Sequence, residues 1–141
     1  MSGPTNTQFA VAVHAVTLLA DAGDGVLSSE FIAGSAGANP VYVRRVLGRL
    51  REAGYVRSRP GVRGGWTLVR NAGQLTLGDI WRTIEGDEGL LGLHEASPDC
   101  PDGQDIQRTL TAIDRQVSVA VQRELDAIAV AEITPLRRLP A

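Results

Sequence analysis

The sequence predicts a mainly α-helical fold with one small β-hairpin and a long C-terminal helix. Three observations lead to this prediction. Two short helical segments meet at a glycine-containing turn, and the second begins with Asn39 and Pro40. Two strand-forming segments follow around a loop rich in glycine and arginine, and apolar residues recur every three or four positions from Gln104 onward. The 141 residues suffice for one domain with its own core and one extra element.

The first three helices are predicted from apolar spacing and from signals at their ends. Residues 7–20 carry an apolar stripe and precede a glycine-rich stop. Ser28 caps a short second helix that ends early at glycines. Asn39 caps the third helix, which has Pro40 at the favoured first position and continues to residue 53. The second and third helices therefore form a helix-turn-helix.

The third helix is expected to present arginines to the solvent. Its core-facing residues share one apolar face and are Val43, Val46, Leu47 and Leu50. The residues that point away from that face are Val41, Arg44, Arg45 and Gly48. Between residues 40 and 70 the chain has eight arginines and one acid, whereas the remainder has six basic and 15 acidic residues. Such a separated positive charge suits a polyanion such as DNA, although a solvated arginine-rich helix has the same composition.

A β-hairpin and a fourth helix follow the helix-turn-helix. Residues 55–58 and 66–69 are predicted as strands, and the loop between them, residues 59–65, has three glycines and two arginines. We call this loop the wing. Thr76 and Asp79 have the spacing of a capping box at the start of a helix, which ends at Gly86. The arrangement predicts a winged helix-turn-helix, whose second paired helix enters the DNA major groove.

The apolar stripe after Gln104 predicts a long amphipathic helix that the small core cannot cover. We expect a second copy of the chain to cover it, which makes the protein a homodimer. A helix folded back on its own domain is the alternative, because the stripe does not distinguish a partner from the same chain. The expected organisation is a DNA-binding domain over residues 1–86, a sensor-like linker over 87–103, and a dimerisation helix with a C-terminal tail over 104–141.

Four segments resemble bacterial regulators of the IscR, NsrR and CymR type. They are NPVYVRRVLGRLREAGYV at residues 39–56, RGGWTL at 63–68, LTLGDI at 75–80 and LHEASPDCPDG at 93–103. The resemblance covers nearly the whole chain, and the last segment is the most distinctive. It implies a dimeric transcription factor that acts as a repressor on double-stranded DNA with an inverted-repeat operator.

The chain departs from the iron–sulfur members that it resembles. Those members have three closely grouped cysteines before the long helix, whereas this chain has Cys100 alone. Thiolates hold such clusters as soft anionic ligands, so their replacement removes affinity and geometry together. We therefore expect no cofactor, and the sequence places this chain in a single-cysteine branch.

The expected DNA contacts lie on the helix-turn-helix and on the wing. Tyr42, Arg44 and Arg45 are expected to meet base edges and phosphates, and either arginine could recognise guanine. The remaining candidates are Ser28 and Ser29 at a helix N-terminus, Asn39 and Pro40 at the start of the third helix, Arg49 on that helix, and Arg59 and Arg63 on the wing. Two alternatives stay open: Tyr42 as an aromatic at the edge of the core, and Arg49 as a merely solvated side chain.

Cys100 is the sensor candidate, together with His94 and His14. The thiol precedes a helix, which favours a reactive thiolate, whereas the nearby Asp99 and Asp102 oppose it. Oxidation sensing, an N/S metal site across a dimer and an inert cysteine therefore remain alternatives.

The sequence argues against several classes of protein. It contains no phosphate loop, no nucleophile motif with its base and no metal motif at recognised spacing, so an enzyme is not expected. It also lacks an export signal and a membrane-spanning segment, so we expect a cytoplasmic protein. The competing function is a winged-helix module that binds another protein without sequence-specific DNA recognition.

Overall fold

A computed structural model describes residues 4–86 and 89–133, and it has the mainly helical fold with a two-stranded antiparallel hairpin that the sequence predicts. The elements in chain order are helices α1 (Pro4–Ala22), α2 (Ser29–Ala36) and α3 (Pro40–Glu52), strands β1 (Val56–Arg59) and β2 (Gly65–Leu68), helices α4 (Leu77–Glu85) and α5 (Pro101–Asp126), and a 3₁₀ helix (Val130–Glu132). Residues 1–3, 87–88 and 134–141 of the expected domains lie outside the described residues. No helix in the described ranges has both the length and the apolarity to cross a membrane.

The hydrophobic core lies between α1, α2, α3, α4 and the hairpin. The predicted inner face of α3 is confirmed, since Val43, Val46, Leu47 and Leu50 are all buried. Buried residues of α1 and α4 pack against this face, and Trp66 closes the core from the hairpin. This packing fixes the orientation of α3 and leaves its opposite face in solvent.

The hairpin also pairs with the segment before α2, through an isolated antiparallel bridge between Leu27 and Trp66. Val56 pairs with Leu68 and Arg59 with Gly65, so the strands lie one residue away from their predicted ends. Leu27 and Trp66 exchange two backbone hydrogen bonds of 3.1 and 2.8 Å. Gly65 is required here because a Cβ atom would approach the Leu27 carbonyl oxygen to 2.5 Å, and its φ is +152°.

Helix α4 begins with the predicted capping box. Thr76 Oγ1 accepts a hydrogen bond from the Asp79 backbone N–H at 3.0 Å, and Asp79 Oδ2 accepts one from the Thr76 N–H at 3.0 Å. Helix α5 crosses α4 closely at Gly78, where a Cβ atom would collide with the Asp126 carboxylate. The capping box and this crossing together fix α4 between the core and α5.

Helix α5 starts three residues before the predicted Gln104. Cys100 is its N-cap, with the thiol sulfur accepting from the Gly103 N–H at 3.3 Å, and Pro101 occupies the first position. The apolar periodicity begins only at Ile106, so it marks the stripe and misses the polar first turn. None of the residues of α5 is buried within the single chain.

After α5 the chain returns to the DNA-binding half of the molecule. Leu77 N–H donates to the Ile128 carbonyl at 2.8 Å, and Val130 N–H donates to the Leu75 carbonyl at 2.8 Å. Val130 is buried to 1% exposure. Residues 128–132 therefore complete the core of the N-terminal domain, although the sequence assigns them to the C-terminal segment.

Candidate nucleic-acid interface

The start of α3 is built by the two residues that the sequence identifies. Asn39 Oδ1 accepts a hydrogen bond from the Val41 N–H at 2.7 Å, and Pro40 occupies the first helical position, where its missing N–H costs nothing. These contacts satisfy the helix terminus internally. Asn39 and Pro40 thereby fix the first turn, from which the side chains of α3 project.

The outward face of α3 carries a stripe of three residues, Val41, Arg45 and Gly48, which we call the recognition stripe. Val41 is 56% exposed, and Arg45 is exposed as well. Within the described ranges Arg45 forms no ion pair, and its guanidinium has five N–H donors. A Cβ atom on Gly48 would meet nothing within 4 Å. Within the described residues, neither an ion pair of Arg45 nor a close neighbour of Gly48 therefore accounts for the presence of these residue types on the stripe.

Arg44 projects to the side of this stripe and binds helix α2. Its Nη1 atom donates to Glu30 Oε1 and to Ser29 Oγ, each at 3.1 Å. The Arg44 side chain remains 45% exposed. The structure therefore separates the two adjacent arginines, since Arg44 ties α3 to α2 and Arg45 extends freely.

Ser28 and Ser29 occupy different environments at the start of α2. Ser28 Oγ is the N-cap and accepts from the Phe31 N–H at 3.0 Å. Ser29 is 6% exposed, and its hydroxyl lies in contact with Arg44 and Glu30. The Ser29 hydroxyl is therefore enclosed between α2 and α3, and the expected phosphate contact of this residue stays a prediction. Sequence reasoning missed Glu30, whose place in the first turn of α2 was the available signal.

Tyr42 packs at the edge of the hydrophobic core. Its ring contacts the core cluster, and its hydroxyl is buried without a hydrogen-bond partner among the described residues. Burial raises the pKa of the Tyr42 phenol, and the positive charge of Arg45 opposes this effect. Of the two interpretations left open by the sequence, the structure supports the aromatic at the core edge.

Arg49 is directed into the molecule. Its guanidinium donates to the carbonyl oxygens of Thr83 and Ile84 at 3.0 and 2.7 Å, and to Gln8 Oε1 at 2.9 Å. The last carbonyls of a helix lack intrahelical donors and carry partial negative charge, so a guanidinium there caps α4. Arg49 is therefore not a merely solvated side chain, and its expected phosphate contact stays a prediction.

The wing presents two arginines on a tightly constrained loop. Arg59 and Arg63 are exposed and form no ion pair within the described residues. A Cβ atom on Gly64 would collide with the Arg59 carbonyl, so the turn requires glycine there. Arg51 of α3 lies over the Trp66 ring at 5.6 Å and donates to Ser58 Oγ at 3.3 Å, which fixes the hairpin against α3.

The sensor candidates lie apart in the single chain. Cys100 and His94 are exposed on the segment before α5, whereas His14 Nε2 lies 2.8 Å from Ser35 Oγ between α1 and α2. Among the residues that the structure describes, no group of three histidine, cysteine or acidic side chains could hold a metal ion. The two histidines and Cys100 therefore do not form a site within one chain.

The segment before α5 is held on the N-terminal half of that helix by side chains that the sequence analysis did not single out. Asp114 Oδ1 accepts from the N–H groups of Leu90 and Leu91 at 2.8 and 3.0 Å. Gln107 Oε1 accepts from the Ala96 N–H at 2.7 Å. In the sequence, only the place of Asp114 and Gln107 on the polar face of the helix indicates that they could hold the preceding segment.

Residues 5–135 match the Rrf2 family model, whose description is iron-dependent transcriptional regulator. The donor set of this chain does not fit an all-thiolate iron–sulfur cluster, since Cys100 is the one cysteine in the sequence. The described residues also lack any other group of ligands suited to iron.

Several proteins that are similar to this chain are described as regulators. The chain is 36% identical over 121 residues to the HTH-type transcriptional regulator YwnA of Bacillus subtilis, covering 85% of this chain and 89% of YwnA. A solved structure described as a transcriptional regulator from Lactobacillus plantarum superimposes with a TM-score of 0.76 at 25% identity, covering 88% and 85% of the two chains. CymR, the global cysteine regulator of B. subtilis, superimposes with a TM-score of 0.66 at 25% identity over 90% and 92%. The chain belongs to the Rrf2 family of transcriptional regulators, which are DNA-binding proteins and not enzymes.

Proposed function

We propose that this regulator binds an inverted-repeat operator as a homodimer and represses transcription. The recognition stripe of α3 is the observation that carries the proposal. Arg45 and Val41 project from the first turns of the second helix of the pair, where such helices contact base edges. Neither side chain has a structural task in the described part of the chain, in contrast to Arg44 and Arg49.

The wing adds affinity to this interaction. Arg59 and Arg63 are free to enter a minor groove, where a narrow A·T-rich tract strengthens the attraction for guanidinium. Phosphate neutralisation by arginine releases counterions, so the binding constant should fall steeply as salt rises. The acidic remainder of the molecule limits nonspecific association with DNA.

The exposed apolar residues of α5 support the homodimer. Ile106 and Ile113, two turns apart on one face of the helix, are 57% and 41% exposed in the single chain. A helix of 26 residues spans about 39 Å at 1.5 Å per residue, and a second copy would remove this apolar surface from water. A two-fold axis between the copies would direct the two α3 helices toward two half-sites of an inverted repeat.

Regulation is proposed to act through the segment before α5, either by oxidation of Cys100 or by a small effector. The thiol is exposed and caps the helix whose apolar face would form the dimer. Serine also caps helices, so Cys100→Ser preserves the cap and removes the oxidisable sulfur. Peroxide should lower the operator affinity of the wild type and leave the Cys100→Ser variant unchanged. If mass spectrometry shows that the thiol is oxidised and the operator affinity of the wild type is unaltered, oxidation of Cys100 is excluded as the signal. A small effector is then the remaining proposal.

The proposal is tested by selecting ligands from a random pool of DNA duplexes with the purified full-length protein. Fluorescence anisotropy then measures affinity for the enriched sequence and for a scrambled duplex across salt concentrations. Enrichment of an inverted repeat, with affinity falling steeply as salt rises, is expected. If no sequence is enriched and duplex affinity is low at every salt concentration, the protein is an interaction module and the proposal fails.

A further inference from the structure

Val41 is an exposed apolar residue in the first turn of α3, directly after Pro40. It is 56% exposed, and its backbone N–H is already bound by Asn39. Isolated exposed apolar residues are common on proteins, so exposure alone assigns no role to Val41. The position of Val41 on α3 indicates its role, because the first residues of a recognition helix are those that reach base edges.

Arg45 lies one helical turn after Val41 on the same face. Residues four positions apart on a helix are neighbours, so these two side chains would meet adjacent base pairs. Arg44 is drawn aside by Glu30 and by the Ser29 hydroxyl, at 3.1 Å each. The side chain next to the free guanidinium of Arg45 on the recognition stripe is therefore an apolar one.

We propose that Val41 is a specificity-determining residue that packs against the C5-methyl group of a thymine beside a guanine recognised by Arg45. This inference rests on the proposed function. In the major groove thymine presents a methyl group, and apolar side chains contact it, whereas arginine donates two hydrogen bonds to O6 and N7 of guanine. Each operator half-site then contains adjacent thymine and guanine bases beneath the first two turns of α3.

The size of the effect on affinity follows from the apolar surface of the methyl group, which binding removes from water. Burial of one such group stabilises a complex by about 0.8 kcal/mol, which is a factor of about four in affinity. Deoxyuridine pairs as thymidine does and lacks only this methyl group. Its substitution at the correct thymine should weaken binding about fourfold per half-site, and at other thymines it should have little effect.

The experiment uses the operator selected by the wild-type protein, with each thymine replaced singly by deoxyuridine. The same duplexes are measured with Val41→Ser and with Val119→Ser, a matched control that is 55% exposed on α5, away from the helix-turn-helix and the wing. The fourfold loss should occur at one thymine per half-site, next to a guanine, in the wild type and in Val119→Ser. In Val41→Ser this sensitivity should disappear.

The outcomes separate this inference from the proposed function. If the wild type enriches no sequence, the proposed function fails. If it enriches an operator in which no thymine shows a methyl effect, or in which Val41→Ser retains the effect, the operator binding stands and the role of Val41 is overturned. Circular dichroism of each variant verifies that the helical fold is unchanged.

Discussion

At the scale of single residues, neighbouring arginines of α3 perform different tasks. Arg44 binds Glu30 on α2, Arg49 caps α4, and Arg51 stacks on Trp66. Within the described residues Arg45 has no such partner. The positive charge counted in the sequence is therefore partly used to hold the fold together, and the number of arginines overestimates the number of DNA contacts.

Replacement of Arg49 tests this division of roles. Arg49→Ala should lower the free energy of unfolding by about 1.5–3 kcal/mol, because two carbonyl oxygens at the end of α4 lose a charged donor. Arg45→Ala serves as the control and should change stability by less than about 0.5 kcal/mol. Urea unfolding followed by circular dichroism measures both. Equal stability of the two variants would contradict the assignment of Arg49.

The sequence predicts those side-chain roles that depend on near neighbours in the chain. The Asn39 cap and the Thr76–Asp79 capping box require partners only two or three residues away. The contacts of Arg44 and Arg49 reach partners 14 and 35 positions away, and a long guanidinium side chain can turn to either side of a helix. Such contacts are decided by the packing of helices, which the spacing of residues does not specify.

At the scale of elements, α3 contains a glycine that its own fold does not require. Gly48 lies inside the helix, where glycine is about 0.5–1 kcal/mol less favourable than alanine, and open space surrounds the position of a Cβ atom. Since the recognition stripe includes this position, the missing side chain would allow α3 to approach a groove closely.

Gly48→Ala should therefore raise stability and weaken operator binding. We expect the free energy of unfolding to rise by about 0.5–1 kcal/mol, while binding loses about 1–3 kcal/mol from steric crowding. Thermal unfolding and anisotropy measure the two effects. Gly34→Ala on α2, where an added Cβ also meets open space, is the control for stability. Unchanged operator affinity in Gly48→Ala would show that DNA does not approach this position.

The boundaries of α5 show how far the pattern of residues defines an element. The apolar stripe identified the helix, but its first turn is polar and is set by the Cys100 cap and Pro101. The helix stops at Asp126, although the apolar spacing continues to Ile128. The Ile128 carbonyl oxygen instead accepts a hydrogen bond from the Leu77 N–H, a contact between distant parts of the chain.

At the scale of the whole molecule, the C-terminal end of the described chain closes the DNA-binding domain. Val130 is buried with the helices of the N-terminal half, so α5 is anchored to the domain at its C-terminal end. In the proposed dimer, a change in how the two α5 helices pack would therefore be transmitted to the positions of the two α3 helices. This connection would give the regulator a physical path between the dimer interface and DNA.

Ile113 tests the expected dimer surface. Ile113→Glu places a charge on the exposed apolar stripe and should convert the dimer into a monomer, because burial of an unpaired charge is costly. Arg115→Glu puts the same side chain on the opposite face of α5 and should leave the dimer intact. Sedimentation velocity at micromolar concentration measures the mass of each. A monomeric wild type, or a dimeric Ile113→Glu, would contradict the assignment of this surface.

We propose that Arg45 recognises a base from the recognition stripe. The affinity of wild type and Arg45→Ala is measured for the selected operator and for every single-base variant of it. Arg45→Ala should lose about 1–3 kcal/mol of discrimination at one guanine per half-site and keep its preferences at the other positions. A uniform loss of affinity for all sequences, with every base preference retained, would show that Arg45 contacts only phosphate and would overturn its role in base recognition.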